Sequence, residues 1–261
     1  MELQAPSHWQ RAEFISDLHL QAADRATFAA WAAYMQSTQA DALFILGDLF
    51  EVWVGDDAAM VADSFEAECV AVLRQTGQRL VLFIMQGNRD FLMGPALMQA
   101  CCATALPDPS VLTFAGQRWL LSHGDALCVD DLDYQAFREQ VRSTQWQTAF
   151  LAKPLAERQS IALGIRQASA ARKQDASVYA DVDSTAALAL LAHHQAQHLL
   201  HGHTHKPAQH PLGPHAMRTV LSDWDVNALP VRAEVLRLSA STHAAAVLER
   251  LPLAPIASPA D

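Results

Sequence analysis

The chain has 261 residues, 51% of them hydrophobic, and a formal net charge of −10. This is enough apolar matter for a sizeable core in one domain. The acidic balance argues against a general nucleic-acid binder, whose affinity rests on neutralising phosphates with Lys and Arg. An anionic substrate would need local cations or metals.

Four cysteines, Cys69, Cys101, Cys102 and Cys128, show no C-x-x-C spacing and read as reduced thiols. The opening stretch lacks an apolar segment after a basic start, and no uncharged apolar run reaches the roughly 18 residues of a membrane span. The expectation is a cytoplasmic protein whose membrane contact is peripheral.

In chain order, Phe14 and Ile15 read as the end of a strand that runs into Asp17-Leu18-His19, after which Phe28, Trp31 and Met35 share one face at helical spacing. The same grammar recurs at 42–46 before Gly47-Asp48 and at 80–85 before Gly87-Asn88. It returns at 119–121 before His123-Gly124 and at 198–200 before Gly202-His203. Open α/β sheets bind ligands at the carboxyl ends of their strands, so these five loops are expected to converge.

Between 134 and 173 the strand pattern gives way to helix-favouring sequence carrying Phe137, Trp146, Phe150, Leu151, Leu155 and Ile161. It reads as a helical lid inserted at 132–175 in a single domain spanning 1–251. Its charges oppose the chain average: Arg138, Arg142, Lys153, Arg158, Arg166, Arg172 and Lys173 against Glu139 and Glu157. Two readings stay open, a cover for a substrate both anionic and greasy, or an amphipathic hairpin whose charges are its solvated face. β-like segments follow at 219–221 and 231–238, then a Pro/Ala-rich stretch at 252–261 that is expected to be disordered.

Alone, Asp17-x-His19 is weak, since a cap and a half-buried imidazole produce the same pattern. It stands, however, in order with Gly47-Asp48, Gly87-Asn88-Arg89-Asp90, His123-Gly124-Asp125 and Gly202-His203-Thr204-His205. Two divalent cations about 3.5–4 Å apart need a bridging carboxylate with nitrogen and oxygen ligands on each side. Asp48 is the natural bridge. Asp17, His19 and His205 complete one metal, and Asn88, His123 and His203 the other. Imidazole and oxygen ligation without thiolate fits Mn²⁺, Fe²⁺ or Zn²⁺.

Other residues keep two readings. Asp125 orients His123 or satisfies a turn. Asp56 and Asp57 cap the next helix or stand near the metals. His201 orients a ligand or is structural. His193, His194, His198, His210, His215 and His243 carry no motif context.

This set of motifs resembles the calcineurin-like metallophosphoesterases, whose D-x-H, G-D, G-N-x-D, H-G and G-H-x-H pattern stands here from Asp17 to His205. The resemblance implies an α/β sandwich of two mixed sheets flanked by helices, and it carries over the same ligand roles. Many members place in the third motif a histidine that assists the leaving group, whereas this chain has Arg89. An arginine stays protonated and cannot be a general acid, but it can clamp phosphate oxygens. That departure leans towards a leaving group that is already good, such as a phosphate expelled from a pyrophosphate.

Longer runs, from Gly47-Asp48-Leu49-Phe50-Glu51 through Trp53-Val54-Gly55-Asp56-Asp57, Gly87-Asn88-Arg89-Asp90-Phe91-Leu92 and His201-Gly202-His203-Thr204-His205-Lys206-Pro207, are similar to one branch, the UDP-2,3-diacylglucosamine hydrolases. That similarity implies water attack at the α-phosphorus of UDP-2,3-diacylglucosamine, giving UMP and 2,3-diacylglucosamine 1-phosphate, with two Mn²⁺ ions. It implies catalytic roles for Asn88, Arg89 and His203, and substrate contacts from these three with Asp131, Ser169 and Lys173.

It also implies a lid that holds the acyl chains. The expectation is a monomer, peripheral at the cytoplasmic face of the inner membrane, that binds no nucleic acid. The chain is one residue short between Ser169 and Asp181, so the branch's lid lysine is either Lys173 or absent. The rival reading is a nucleotide or cyclic-nucleotide phosphodiesterase with the same dinuclear site, which should show a basic groove.

Overall fold

The structure, a computed structural model, describes residues 1–175, 181–241 and 245–253, with the side chains of 168–175 outside the description. In chain order its elements are β1 (Glu2–Gln4), β2 (Arg11–Ile15), α1 (Arg25–Ser37), β3 (Ala42–Leu46), α2 (Phe65–Gly77), β4 (Val81–Met85), α3 (Pro95–Ala100) and β5 (Ala103–Leu106). Next come β6 (Ser110–Phe114), β7 (Gln117–Leu121), α4 (Leu132–Arg142), α5 (Thr144–Leu151), α6 (Leu155–Asp175) and α7 (Ser184–His193). The chain continues through β8 (His198–His201), β9 (Gln209–Gly213), β10 (Ala216–Val220), β11 (Glu234–Ser239) and β12 (Val247–Pro252).

The strands form two mixed sheets, ordered β12-β11-β2-β3-β4-β5 and β1-β6-β7-β8-β10-β9. In the first, β2, β3, β4 and β5 are parallel, while β11 runs antiparallel to β2. Parallel pairing needs a crossover between strands, and α1, α2 and α3 supply it. The carboxyl ends of β2, β3 and β4 therefore lie along one edge, carrying the loops that begin at Ser16, Gly47 and Gln86. In the second sheet β7 and β8 are also parallel, which brings the loops after Leu121 and His201 together.

Strand β3 shows how the layers are set. Side chains alternate faces along a strand, and all five of its residues are apolar and buried. Ala42, Phe44 and Leu46 point between the sheets, packing with Phe14, Phe83, Leu112, Trp119 and Leu200. Leu43 and Ile45 point the other way, against Trp31 and Met35 of α1 and Leu73 of α2. A third cluster lies under α7, where Ala187 and Leu191 cover Val111, Leu120 and Leu199. The continuous apolar run is thus the signature of a strand covered on both faces. The helices begin where their caps allow: Asp24, Ser64 and Asp183 accept from the backbone N–H of Thr27, Ala67 and Ala186.

Residues 132–175 hold α4, α5 and α6. Pro252 pairs with Glu234, so β12 runs one residue past the domain end expected at 251. The rest of the stretch expected to be disordered, 254–261, lies outside the described residues. Among the described residues no helix is long and apolar enough to cross a membrane, and all four thiols are free.

Candidate metal centre

Backbone geometry marks the site before any side chain does. Asp17, His19, Asp48, His203 and His205 all have positive φ, between 48° and 69°. For residues other than glycine this left-handed conformation costs about 1–3 kcal/mol each and persists only where the surroundings enforce it. Two loop interactions do so: Asp17 N–H donates to Gly47 O at 3.1 Å and His19 N–H to Asp48 O at 3.0 Å. His203 N–H donates to the Asp17 carboxylate at 2.9 Å. Glycine is required at Gly47, with φ +90°, because a Cβ there would lie 2.5 Å from His123 Nδ1.

The donors converge. Asp17, His19 and His205 each offer an atom within 4.8 Å of the others, and so do Asp17, Asp48 and His123. Asp48 lies between the two expected halves, its Oδ2 4.0 Å from His19 Nε2 and its Oδ1 3.6 Å from His123 Nε2. Asn88 Oδ1 is 2.9 Å from His123 Nε2 and 2.8 Å from His203 Nδ1. All seven expected ligands are thereby brought to one place. His123 Nδ1 is 3.0 Å from the carbonyl of Leu46, an arrangement that assigns the ring proton to Nδ1 and turns Nε2 towards the centre.

The donor set fits divalent cations. The Nε2 atoms of His19 and His205 face each other at 3.1 Å, with their Nδ1 atoms 3.1 Å from Glu51 Oε2 and 3.7 Å from Asp223 Oδ2 respectively; with the ring protons on Nδ1 both Nε2 lone pairs point to the place a cation would take. Carboxylates, imidazoles and one amide oxygen, with no thiolate, suit the borderline first-row ions.

The electrostatics follow from burial and mutual charge. Burial alone would raise the Asp17 carboxyl, but the hydrogen bond and charge of His205, with His123 and His19, hold it well below its usual range. His123 is opposed by burial, yet Asp48, Asp17 and Asp125 push it up to about 9. Burial and the neighbouring His123 press His203 down to about 4, leaving a neutral imidazole. His201, fully buried, is pushed down to about 3 by burial. Its Nδ1 is 2.8 Å from its own neighbour Gly202 O, so it supports the loop.

Several residues have roles that the sequence did not reveal. Asp90 is fully buried, and its carboxylate accepts from Leu49 N–H at 2.7 Å and Gly87 N–H at 2.7 Å. It ties the Asp48 loop to the Asn88 loop; burial and the Asp48 charge push it up to about 6. Asp125 neither orients His123 directly nor merely closes a turn. It accepts from Tyr134 Oη at 2.5 Å and Arg138 Nε at 2.8 Å, seating α4 beside the centre with the Tyr134 ring 6.0 Å from that of His203.

Asp56 caps α3, accepting from Gly94 and Leu97 N–H at 2.9 Å. Asp57 instead pairs with Arg158 of α6. Arg89 donates its backbone N–H to Asp48 Oδ1 at 2.8 Å and its Nη1 to Glu51 Oε1 at 3.2 Å.

Among the described side chains, the arginines of the helical segment face the body. Arg138 and Arg142 approach Asp125, Arg158 pairs with Asp57 and Arg166 with Glu51, all carboxylates of the acidic body, while Lys153 pairs with Glu157 in the segment itself. The opposite charges dock the segment. Beside α6 lies a cavity of about 570 Å³ whose walls include Phe50, Val52, Trp53, Leu163 and Arg166. Of the expected substrate contacts, Asp131 is the N-cap of α4, accepting from Tyr134 N–H at 3.1 Å. Ser169 and Lys173 fall on α6, but their side chains lie outside the described residues.

Residues 14–207 match the model of the calcineurin-like phosphoesterases. A UDP-2,3-diacylglucosamine hydrolase of Aromatoleum aromaticum is 44% identical over 219 residues, covering 82% of this chain and 89% of that protein. One of Chromobacterium violaceum is 46% identical over 221 residues, covering 81% and 89%. A crystal structure of a dimetal phosphatase from Danio rerio superposes with a TM-score of 0.51 at 12% identity, over 93% of this chain and 96% of that one, a likeness of fold. The chain is therefore a hydrolase that belongs to the calcineurin-like phosphoesterase family and, within it, with the UDP-2,3-diacylglucosamine hydrolases.

Proposed function

We propose that the chain hydrolyses the pyrophosphate of UDP-2,3-diacylglucosamine by attack of water at the α-phosphorus, releasing UMP and 2,3-diacylglucosamine 1-phosphate. The observation that carries this reading is the convergence of seven donors on one centre with Arg89, and not a histidine, in the neighbouring position. Asp17, His19 and His205 would hold one cation and Asn88, His123 and His203 the other, with Asp48 shared. Two divalent cations, taken to be Mn²⁺, would supply positive charge to polarise a phosphoryl oxygen and make a water more acidic.

The protein's own residues do the rest. Arg89 clamps a phosphate oxygen and offsets the charge that develops as the P–O bond breaks. No side chain needs to protonate the leaving group, because a sugar 1-phosphate departs as a stable anion. Asn88 and His203 would meet a phosphate oxygen as well as a cation. Asp131, Ser169 and Lys173 are proposed to hold the glucosamine and its phosphate, and the apolar cavity beside α6 suits the acyl chains. Such a substrate lives in a bilayer, so the protein is proposed to work as a monomer bound peripherally at the cytoplasmic face of the inner membrane.

The test is release of UMP from UDP-2,3-diacylglucosamine by the Mn²⁺-supplemented protein, run beside a chelated sample and beside bis(p-nitrophenyl) phosphate. Chelator-sensitive UMP release supports the reading. Turnover of the generic diester alone would replace it with a nucleotide or cyclic-nucleotide phosphodiesterase.

A further inference from the structure

Glu51 lies three residues beyond Asp48, in a run that is otherwise apolar from Leu49 to Val54. Its backbone is fixed: its N–H donates to Leu20 O at 3.1 Å, and Phe50 bridges Leu20. Its carboxylate stands between three cationic or potentially cationic groups from three parts of the chain. Oε1 takes Arg89 Nη1 at 3.2 Å and, from α6, Arg166 Nη2; Oε2 lies 3.1 Å from His19 Nδ1.

Two guanidiniums on one oxygen repel each other, and only a charged acceptor makes their adjacency favourable. The main chain of Arg89 is held by Asp48; its guanidinium donates to Glu51 at 3.2 Å, closer than the 3.8 Å from its Nε to Asp48 Oδ2. The Arg89 and Glu51 side chains are 11% and 25% exposed, so water screens the pair only in part.

We infer that Glu51 is a positioning residue that acts through Arg89: the adjacency of Arg89, Arg166 and His19 on one carboxylate aims the Arg89 guanidinium at the centre and ties that aim to the docking of α6. The inference rests on the hydrolytic reading above and adds a residue to it. Removing the negative charge leaves two like charges side by side, and the Arg89 guanidinium loses the acceptor that holds it. An arginine held about 1 Å out of place loses much of its effect on a transition state while still meeting the substrate. Turnover should therefore suffer more than substrate affinity.

The experiment is a double-mutant cycle of Glu51→Gln and Arg89→Met on the full chain, read as kcat and KM, with metal content measured on each protein. Glu51→Gln is expected to lower kcat about tenfold with a smaller change in KM and with wild-type metal content. The double variant should then be no worse than Arg89→Met alone, within about twofold, because a residue that acts only through another has nothing left to position. Multiplying losses, wild-type kcat in Glu51→Gln, or loss of metal from it would overturn the inference.

Should Glu51→Gln fail to fold, Glu51→Asp takes its place with the same reading, the charge kept but withdrawn by one methylene. The cycle is run on both UDP-2,3-diacylglucosamine and bis(p-nitrophenyl) phosphate. Turnover of the diester alone discards the lipid substrate and leaves the cycle readable; absence of both activities overturns the two proposals together.

Discussion

The imidazoles of His19 and His205, 186 residues apart, point their Nε2 atoms at each other across 3.1 Å. Without a metal one ring donates an Nε2–H to the other; with a metal both Nε2 lone pairs are free to face it. The hydrogen bond and charge of Asp17 overcome burial and raise the His205 pKa, while Asp48, Asp17 and Asp125 push His123 up to about 9.

His123 is therefore charged at neutral pH without metal and must lose that proton to become a ligand, and the raised His205 shifts the same way. Because these pKa values are raised in the metal-free state, metal uptake at pH 7 releases protons, and affinity falls as pH drops below about 9. Calorimetric titration of Mn²⁺ in buffers of different ionisation enthalpy should show net proton release. Heats independent of the buffer would contradict the assignment of His123 as a ligand.

Asp48 and Arg89 are neighbours whose removal should have different consequences. Asp48 lies between the two histidine groups, so Asp48→Ala should lower metal content and abolish measurable turnover. Arg89 is not an expected ligand, so Arg89→Ala should keep both metals while lowering kcat by about 10²–10³-fold. Metal analysis beside initial rates separates the two, and equal metal content and activity in wild type and Asp48→Ala would sink the ligand assignment.

Gly47 tests the backbone argument. Gly47→Ala would place a methyl 2.5 Å from His123 Nδ1 and 2.8 Å from Gly87 Cα at a φ of +90°. The expected cost is about 1–3 kcal/mol of stability, with weaker metal binding as His123 is displaced from Leu46 O. A thermal melt with and without Mn²⁺ should show a smaller metal-induced stabilisation than in wild type.

Asp125 is fully buried with Arg138 and Tyr134 upon it. Asp125→Asn would leave a guanidinium without its countercharge, at a cost of about 3–5 kcal/mol, and would loosen α4. Denaturant unfolding measures the loss. Limited proteolysis should then cut within 132–151 faster than in wild type; an unchanged unfolding midpoint would show that Asp125 does not seat the helix.

Much of the candidate site was legible because the expected ligands come just after short apolar runs, Phe-Ile, Ala-Leu-Phe-Ile-Leu, Val-Leu-Phe-Ile-Met, Trp-Leu-Leu and Leu-Leu. A run such as Ala-Leu-Phe-Ile-Leu ending in Gly-Asp can be read without the partner strand. The edge strands were not legible for the same reason. β9, Gln-His-Pro-Leu-Gly, and β5, Ala-Thr-Ala-Leu, bury too little to show a period.

The residues that hold the ligands were harder still, because their function is a contact with a distant segment. Asp90 looks like the end of a motif, and only the fold shows that it accepts from Leu49 and Gly87. Glu51 left a faint signal, a lone acid inside an apolar run, which is costly unless something pairs with it. The basic excess of the helical segment was visible, but its meaning was not: the carboxylates that balance it, Asp57 and Glu51, lie about a hundred residues earlier.

The central claim is water attack at the α-phosphorus at this centre, and hydrolysis of UDP-2,3-diacylglucosamine in ¹⁸O-labelled water tests it most directly. The account predicts one ¹⁸O in UMP, none in 2,3-diacylglucosamine 1-phosphate, and no reaction once the metal is chelated. Label in the sugar phosphate, or UMP formation that survives chelation, would contradict it.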